Sequence, residues 1–244
     1  FVQFIDGDCE MVDGWLLFAQ KHLDDHEKWA IVAGRRKERF PGRSVYNLLC
    51  DMEWNTPVGE AQACGGDFMI RSAAFREVAG FNPTVIAGEE PELCYRLRKQ
   101  GWYIYRLDRM MTLHDAAIER FSQWWMRAVR SGHAYAQGYA MHGSEDERYY
   151  LRDSLRIWLW SFILPVCVLF SVSAVDSRLV VLLLIYPFQL IRIALNVNKG
   201  VRNWRHSLAY AMFNLIGKVP QVLGQLIFVK RYLVGKKYSI IEYN

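Results

Sequence analysis

The sequence predicts an α/β domain over about its first 150 residues, followed by a helical membrane region. Three observations predict this. In the first part, short runs rich in β-branched and aromatic residues alternate with amphipathic stretches at helical spacing. Beyond residue 150, two apolar runs at 157–175 and 179–197 each have the length that a bilayer needs. The 244 residues are 52% hydrophobic and 23% charged, a globular balance that excludes a disordered chain.

The elements of the first part follow from apolar periodicity and from turn residues. Helices are predicted at 15–23, 45–54, 73–79 (capped by Ser72 and ended by Gly80) and from Gly88 to Gly101. Strands are predicted at 1–5, 29–34, 61–64, 68–70, 102–107 and 111–115. Phe1 is not an initiator Met and already belongs to an apolar strand, so we interpret the sequence as a fragment whose N-terminal portion has been lost.

Two carboxylates end the first strand. Asp6 and Asp8 flank Gly7, which allows a tight turn, so both acids can project from the end of the strand. Carboxylate oxygens are the ligands that Mg²⁺ or Mn²⁺ prefers and shares with a diphosphate. A solvated turn is the alternative interpretation of this triplet.

Three further groups are candidates for chemistry. Gly65-Gly66-Asp67 could bring the backbone close to a ligand, or could be a bulge or hairpin turn. The adjacent acids Glu89 and Glu90 at a helix start could supply a general base, or could only complement the helix dipole. His114 ends a short strand, where it is either structural or a third metal ligand. The basic run 35–37 could meet phosphates or form a solvated loop.

Charge and cysteine content narrow the partners and the compartment. The net charge of +5 is modest, and the excess of basic over acidic residues lies in the C-terminal half, which favours an anionic membrane surface over nucleic acid. The five cysteines are scattered without C-x-x-C spacing, so they predict neither a disulfide framework nor a zinc site. We therefore expect the first part in a reducing compartment.

Three motifs together resemble those of a family 2 glycosyltransferase of the GT-A fold. They are the apolar strand ending in Asp6-Gly7-Asp8, the later Gly-Gly-Asp, and the stretch GEEPELCYRLRKQGW at 88–102. The resemblance covers residues 1 to about 140. It implies an inverting, hexosyltransferase-type enzyme that moves a sugar from a nucleotide-diphosphate sugar to an acceptor hydroxyl. It also implies a Rossmann-like mixed sheet, present here only in part because the nucleotide-binding strands should precede Phe1. This fragment alone is then expected to be inactive.

The resemblance also implies roles for individual residues. Asp6 and Asp8 match the D-x-D pair that binds Mg²⁺ or Mn²⁺, and His114 matches a position that completes the metal sphere in some relatives. Glu90 matches the general base, although the family commonly has Asp there. The residues expected to line the donor or acceptor pocket are Gly66, Asp67 and Glu89, with Gln123, Trp124 and Trp125 bordering the acceptor.

The domains are then expected at 1–118 (the C-terminal part of the catalytic domain), 119–150 (a linker helix) and 151–244 (the membrane region). The linker helix suits a membrane interface, or is an ordinary core helix. Basic clusters before 157 and after 197 predict an outward-pointing hairpin with the enzyme on the cytoplasmic side of the cell membrane, unless the hairpin is buried in a soluble protein. A third segment, about 207–230, carries Lys218 and Pro220 at its centre and is expected to be re-entrant or interfacial.

The expected partners are a nucleotide-diphosphate sugar, a saccharide or lipid-linked acceptor for cell-envelope or exopolysaccharide synthesis, and membrane lipids. Two alternatives remain open. The chain could belong to a polyprenyl-phosphate sugar synthase, which uses a lipid phosphate as acceptor. It could also be a catalytically incomplete membrane scaffold.

Overall fold

The protein is known from a computed structural model, which describes residues 1–145 and 147–235. The chain forms two compact units, the first Phe1–Glu119 and the second beginning at Arg120. Lys236 and Lys237, which follow the third predicted membrane segment, lie outside the described residues.

The first unit is an α/β structure with one mixed sheet. Its strands are β1 (Val2–Phe4), β2 (Cys9–Met11), β3 (Trp29–Glu38), β4 (Gly59–Ala61), β5 (Phe68–Ile70) and β6 (Tyr103–His114). Its helices are α1 (Trp15–Asp25), α2 (Val45–Trp54), α3 (Ser72–Glu77) and α4 (Glu89–Lys99). The strand order is β1-β5-β3-β6-β2, and β4 also pairs with β6.

The longest strand, β6, determines where the ends of the other strands meet. It runs parallel to β3 along one side, and β4 and β2 pair antiparallel with its successive halves on the other. Cys9 lies opposite His114, and Met11 lies opposite Thr112. This register brings the turn between β1 and β2 to the C-terminal end of β6.

The core of the first unit is apolar and fully enclosed. Trp15 and Leu23 of α1, and Leu93 and Leu97 of α4, are completely buried with the strand residues Ile31, Phe68, Ile70 and Ile104. The Trp15 indole donates a hydrogen bond to the Gln3 side chain (2.9 Å), so its one polar atom is satisfied. Burial of these large side chains is the main favourable contribution to folding.

The structure corrects several predicted boundaries. The strand predicted at 61–64 is Gly59–Ala61, because the chain leaves the sheet to bring Gly65 and Gly66 beside Arg36 and Asp6. The strands predicted at 102–107 and 111–115 are one strand, β6, because β3 pairs with both parts of it, with a break in register between Arg106 and Met110. Ser72 is the first residue of α3 and not its cap, and the side chain of the preceding Arg71 instead donates to carbonyl oxygens of Leu23 and Trp29. The strand Cys9–Met11 was not predicted.

The second unit is helical. It contains α5 (Phe121–His142), α6 (Leu151–Ala174), α7 (Ser177–Val201), α8 (Trp204–Ile216) and α9 (Lys218–Val234). Two glycines let α5 and α9 approach backbone to backbone. An added methyl group at Gly132 would overlap the Gln221 carbonyl, and one at Gly224 would overlap the Val129 carbonyl. The predicted linker helix therefore packs within the second unit.

Three stretches of the second unit are long and apolar enough to cross a membrane, namely Leu151–Ala174, Ser177–Val201 and Trp204–Val234. Their apolar side chains are largely exposed, with only 11%, 6% and 33% of the most apolar window buried. Exposed apolar surface on this scale indicates membrane association. The first stretch begins earlier than predicted, so Arg152 and Arg156 lie in its first two turns.

Candidate active site

The predicted D-x-D motif forms the turn between β1 and β2. The amide of Cys9 donates to the Asp6 carbonyl (3.0 Å), which closes the turn, and the Asp115 amide donates to the Asp8 carbonyl (3.1 Å). The side chains of Asp6 and Asp8 remain 40% and 55% exposed. Both carboxylates are therefore available at the edge of the sheet.

His114 reaches the same edge from the last position of β6. Its Nε2 lies 3.2 Å from Asp8 Oδ1, and its buried Nδ1 has no hydrogen-bond partner among the described residues. Burial lowers the pKa of His114, although Asp8 opposes this shift in part. A neutral imidazole is the form that binds a metal.

These side chains form a compact donor set. One ligand atom from each of Asp6, Asp8, Cys9 and His114 lies within 4.8 Å of the others. Cys9 does not act as a thiolate here, because burial and its hydrogen bond to Asp67 (3.1 Å) raise the pKa of the thiol. The remaining two carboxylates and one imidazole fit Mg²⁺ or Mn²⁺, with Mn²⁺ the more tolerant of nitrogen.

Asp67 lies directly beneath this turn and is 1% exposed. Its Oδ1 accepts from the Asp6 amide (2.9 Å), and its Oδ2 accepts from the Thr112 hydroxyl (2.6 Å) and the Cys9 thiol. The Arg36 guanidinium pairs with the same carboxylate at 2.9 Å. The predicted contact of Asp67 with a donor sugar stays a prediction, whereas its contacts within the protein hold the D-x-D turn in place.

The second glycine of the Gly-Gly-Asp motif, Gly66, lies against the Asp6 side chain. An added methyl group at Gly66 would overlap the Asp6 carboxylate, whereas one at Gly65 would only touch Arg36, at 3.6 Å. Glycine is therefore needed at position 66 because the Asp6 side chain lies against the backbone there. This is one of the close backbone approaches for which paired glycines are typical.

The basic run 35–37 lies within β3 and not in a loop beyond it. Arg35 pairs with Asp108 (2.5 Å), and Arg36 pairs with Asp67 and with Asp6 (3.1 Å). The Arg36 guanidinium also lies over the Trp54 ring, 5.4 Å from its centroid. Its charge therefore balances the acids of the site.

Glu89 and Glu90 occupy the first turn of α4, where Gly88 takes a left-handed backbone conformation (φ 79°). Burial, and next the neighbouring Glu89, raise the pKa of Glu90 to about 7, with a further increase from Asp6 and a decrease from Arg36. These interactions place Glu90 within electrostatic reach of the D-x-D turn. Glu89 Oε2 is buried without a hydrogen-bond partner in the described part of the chain.

The remaining predicted site residues lie on α5, in the second unit. The Gln123 side chain accepts from the Arg120 amide (3.0 Å) and so caps that helix. Trp124 is buried and its ring contacts Phe213 edge to face (5.0 Å), and Trp125 contacts Phe121. Their predicted contact with an acceptor stays a prediction.

Sequence reasoning missed three contributors. Cys9 and Thr112 are brought to Asp67 by the pairing of β2 with β6, which no local pattern signals. Trp54 ends α2, and its ring packs against His114 with centroids 4.5 Å apart. Trp54 also lines a cavity of about 270 Å³, together with Arg36, Gly65, Asp67 and Tyr105. The cavity gives a small molecule room beside the turn.

Comparison with known proteins supports a glycosyltransferase in general terms. No family model matches the chain. Pre-mycofactocin glycosyltransferases from two strains of Mycobacterium tuberculosis, CDC 1551 and H37Rv, are each 27% identical over 126 residues. The match covers 47% of this chain and only 27% of the length of each relative. The chain is thus distantly similar to glycosyltransferases, which indicates glycosyl transfer without naming donor or acceptor.

Proposed function

We propose that this chain is part of a family 2 glycosyltransferase of the GT-A fold, inverting and metal-dependent. It transfers a hexose from a nucleotide-diphosphate sugar to a saccharide or lipid-linked acceptor, at the cytoplasmic face of the cell membrane. The similarity to known glycosyltransferases and the membrane-compatible helices support the general class. The catalytic details rest on the site itself.

One observation carries the proposal. Acids far apart in the sequence, in the 6–8 turn and at the start of α4, interact at one edge of the sheet together with His114. A solvated turn would not require the buried Asp67, Arg36 and Thr112 beneath it. The arrangement is that of a prepared site, in which the supporting side chains fix the turn before any ligand binds.

The chemistry follows from the roles open to each residue. Asp6, Asp8 and His114 would hold Mg²⁺ or Mn²⁺, which when bound supplies positive charge to stabilise the leaving nucleoside diphosphate. Glu90 would accept the proton of the acceptor hydroxyl, and a pKa of about 7 suits a general base at neutral pH. Displacement from the side opposite the leaving group inverts the configuration of the sugar carbon.

The test measures nucleoside diphosphate released by the full-length protein, with a panel of nucleotide sugars, with and without Mn²⁺. We expect release that needs the metal and that Asp8→Ala abolishes, because one of three ligands is lost. Asp24→Ala is the matched control, since Asp24 is an exposed acid on α1. Substantial turnover by the Asp8→Ala protein would remove the metal assignment.

A further inference from the structure

The second unit contains a cavity of about 590 Å³ that the proposed chemistry does not use. Three cationic side chains line it from three different helices: Arg156 of α6, Arg192 of α7 and Lys218 of α9. Asp153 is the single acid in the lining. The lining therefore carries an excess of two positive charges.

The two arginines are not neutralised by the acid beside them. Among the described residues, Arg156 and Arg192 form no ion pair, although Asp153 lines the same cavity. Arg192 instead donates to a neutral partner, the Gln189 amide oxygen, at 3.5 Å. Lys218 Nζ contacts the Gln221 amide oxygen at 3.3 Å. The guanidinium groups can thus accept an anion without first breaking a salt bridge.

The position of the cavity along the helices favours binding of an anion. Arg192 lies nine residues before Val201, the end of its helix, which corresponds to about 14 Å at the α-helical rise. Lys218 lies well inside the stretch Trp204–Val234. Charges within membrane-compatible helices are costly unless they are paired, and they are a common mark of a ligand site.

The surroundings indicate where that anion comes from. Around Arg192, the side chains of Phe188, Ile191 and Leu195 are exposed and apolar, as expected for surface that faces acyl chains. Trp160 and Asn214 add neutral hydrogen-bonding groups to the cavity wall. Cations and neutral donors on an apolar surface fit a phosphate carried by an acyl or isoprenoid chain better than a free, fully hydrated anion.

We infer that this cavity binds the phosphate headgroup of a membrane lipid, with Arg156 and Arg192 as its principal partners and Lys218 as a third. The inference concerns the second unit alone and does not rest on the proposed function. The shared chemistry is a phosphate ester on a hydrophobic tail. A bulk anionic phospholipid and an isoprenoid phosphate are its two possible sources.

The experiment uses the full-length protein in dodecyl maltoside micelles and counts retained lipid by native mass spectrometry. Phosphatidylglycerol and undecaprenyl phosphate are each offered against phosphatidylcholine. We expect the protein to retain at least one of the two anionic lipids in preference to phosphatidylcholine. The double variant Arg156→Gln/Arg192→Gln should bind that lipid at least about tenfold more weakly, because two charge-assisted contacts are lost. Arg178→Gln is the control, because Arg178 is an exposed arginine that does not line the cavity.

The outcomes separate the two sources and also decide the proposal. Retention of undecaprenyl phosphate alone identifies an isoprenoid phosphate, and retention of phosphatidylglycerol identifies a bulk phospholipid. Wild-type protein with no preference over phosphatidylcholine overturns the inference, and this result does not depend on any variant folding. Retention by the double variant equal to wild type, or an equal loss in Arg178→Gln, overturns it as well.

Discussion

At the scale of single residues, the site depends on the difference between its exposed and its buried acids. Asp6 and Asp8 are accessible, whereas Asp67 is enclosed and bound by four donors from four places in the chain. Removing one partner of a buried charged pair leaves the other uncompensated, which costs far more than loss of an exposed pair. Asp67 therefore supports the folding of the site, whereas Asp8 is placed for the proposed chemistry.

Replacement of Asp67 tests this division. We expect Asp67→Asn to lower stability by about 2–4 kcal/mol, because Arg36 loses its buried counter-charge and keeps only the partly exposed Asp6. Thr112→Val should cost only about 1–2 kcal/mol, since it removes a single hydrogen bond to the same carboxylate. Thermal unfolding of the full-length protein in detergent measures both. Equal and small effects of the two substitutions would contradict the role of Asp67 as the centre of the network.

Glu90 should behave differently with pH. The pKa of Glu90 is about 7 in the folded protein and 4.5 ordinarily, so the folded state favours the protonated form. The stability that this protonation contributes is present below about pH 4.5, decreases as the pH rises, and is lost above about pH 7. Without metal, Glu90→Gln should therefore be more stable than wild type at pH 8, by about 1–3 kcal/mol, and nearly equal to it at pH 4.5.

The same variant should lose turnover by about 10²- to 10⁴-fold while its donor binding changes little.

Glu27→Gln is the control for this series, because Glu27 is exposed beyond the end of α1. Unfolding temperatures at the two pH values and steady-state kinetics with varied donor are the measurements. Equal loss of turnover and donor binding in Glu90→Gln would argue for a structural role. A stability difference that does not change with pH would contradict the raised pKa.

At the scale of elements, the backbone of the loop between β4 and β5 positions the D-x-D turn, the proposed metal site. Gly66→Ala should force the Asp6 carboxylate away, and we expect Mn²⁺-dependent turnover to fall by at least about tenfold, because a misplaced ligand weakens the site. Gly65→Ala is a control at the adjacent position, since its methyl group meets only ordinary contacts. Kinetics at varied Mn²⁺ concentration distinguish the two variants. Similar behaviour of both would show that the loop adapts.

The elements also show how far the sequence alone could be interpreted. The acids at 6, 8 and 90 stand out because each ends a strand or begins a helix, and α4 begins and ends at the predicted glycines. The strand β6 was divided in the prediction into two apolar runs, yet both runs belong to one strand because β3 pairs with each of them. The roles of Cys9 and Thr112 depend on the register of β2 against β6, a long-range property that is absent from any local pattern.

At the scale of the whole molecule, the remaining question is which of the three membrane-compatible stretches cross a membrane. The third stretch, Trp204–Val234, is as long as a span, but it contains Lys218 and ends near Lys230 and Arg231. If it crossed, this basic end would lie outside, against the tendency of Lys and Arg to stay on the cytoplasmic side. The length of the third stretch would allow it to cross, but its charges favour a re-entrant or interfacial segment, which stays a prediction.

Cysteine labelling in intact cells decides between the two topologies. A membrane-impermeant maleimide should label Ser177→Cys, in the turn between the first two stretches, and should not label Gly235→Cys, beyond the third. Glu27→Cys on the first unit is the control for the cytoplasmic side, and detergent-opened cells should expose all three sites to the reagent. Labelling of Gly235→Cys from outside would mean that the third stretch crosses despite its basic end. Failure to label Ser177→Cys, with Glu27→Cys labelled instead, would reverse the expected orientation, because a first stretch that crosses the membrane separates residue 27 from residue 177.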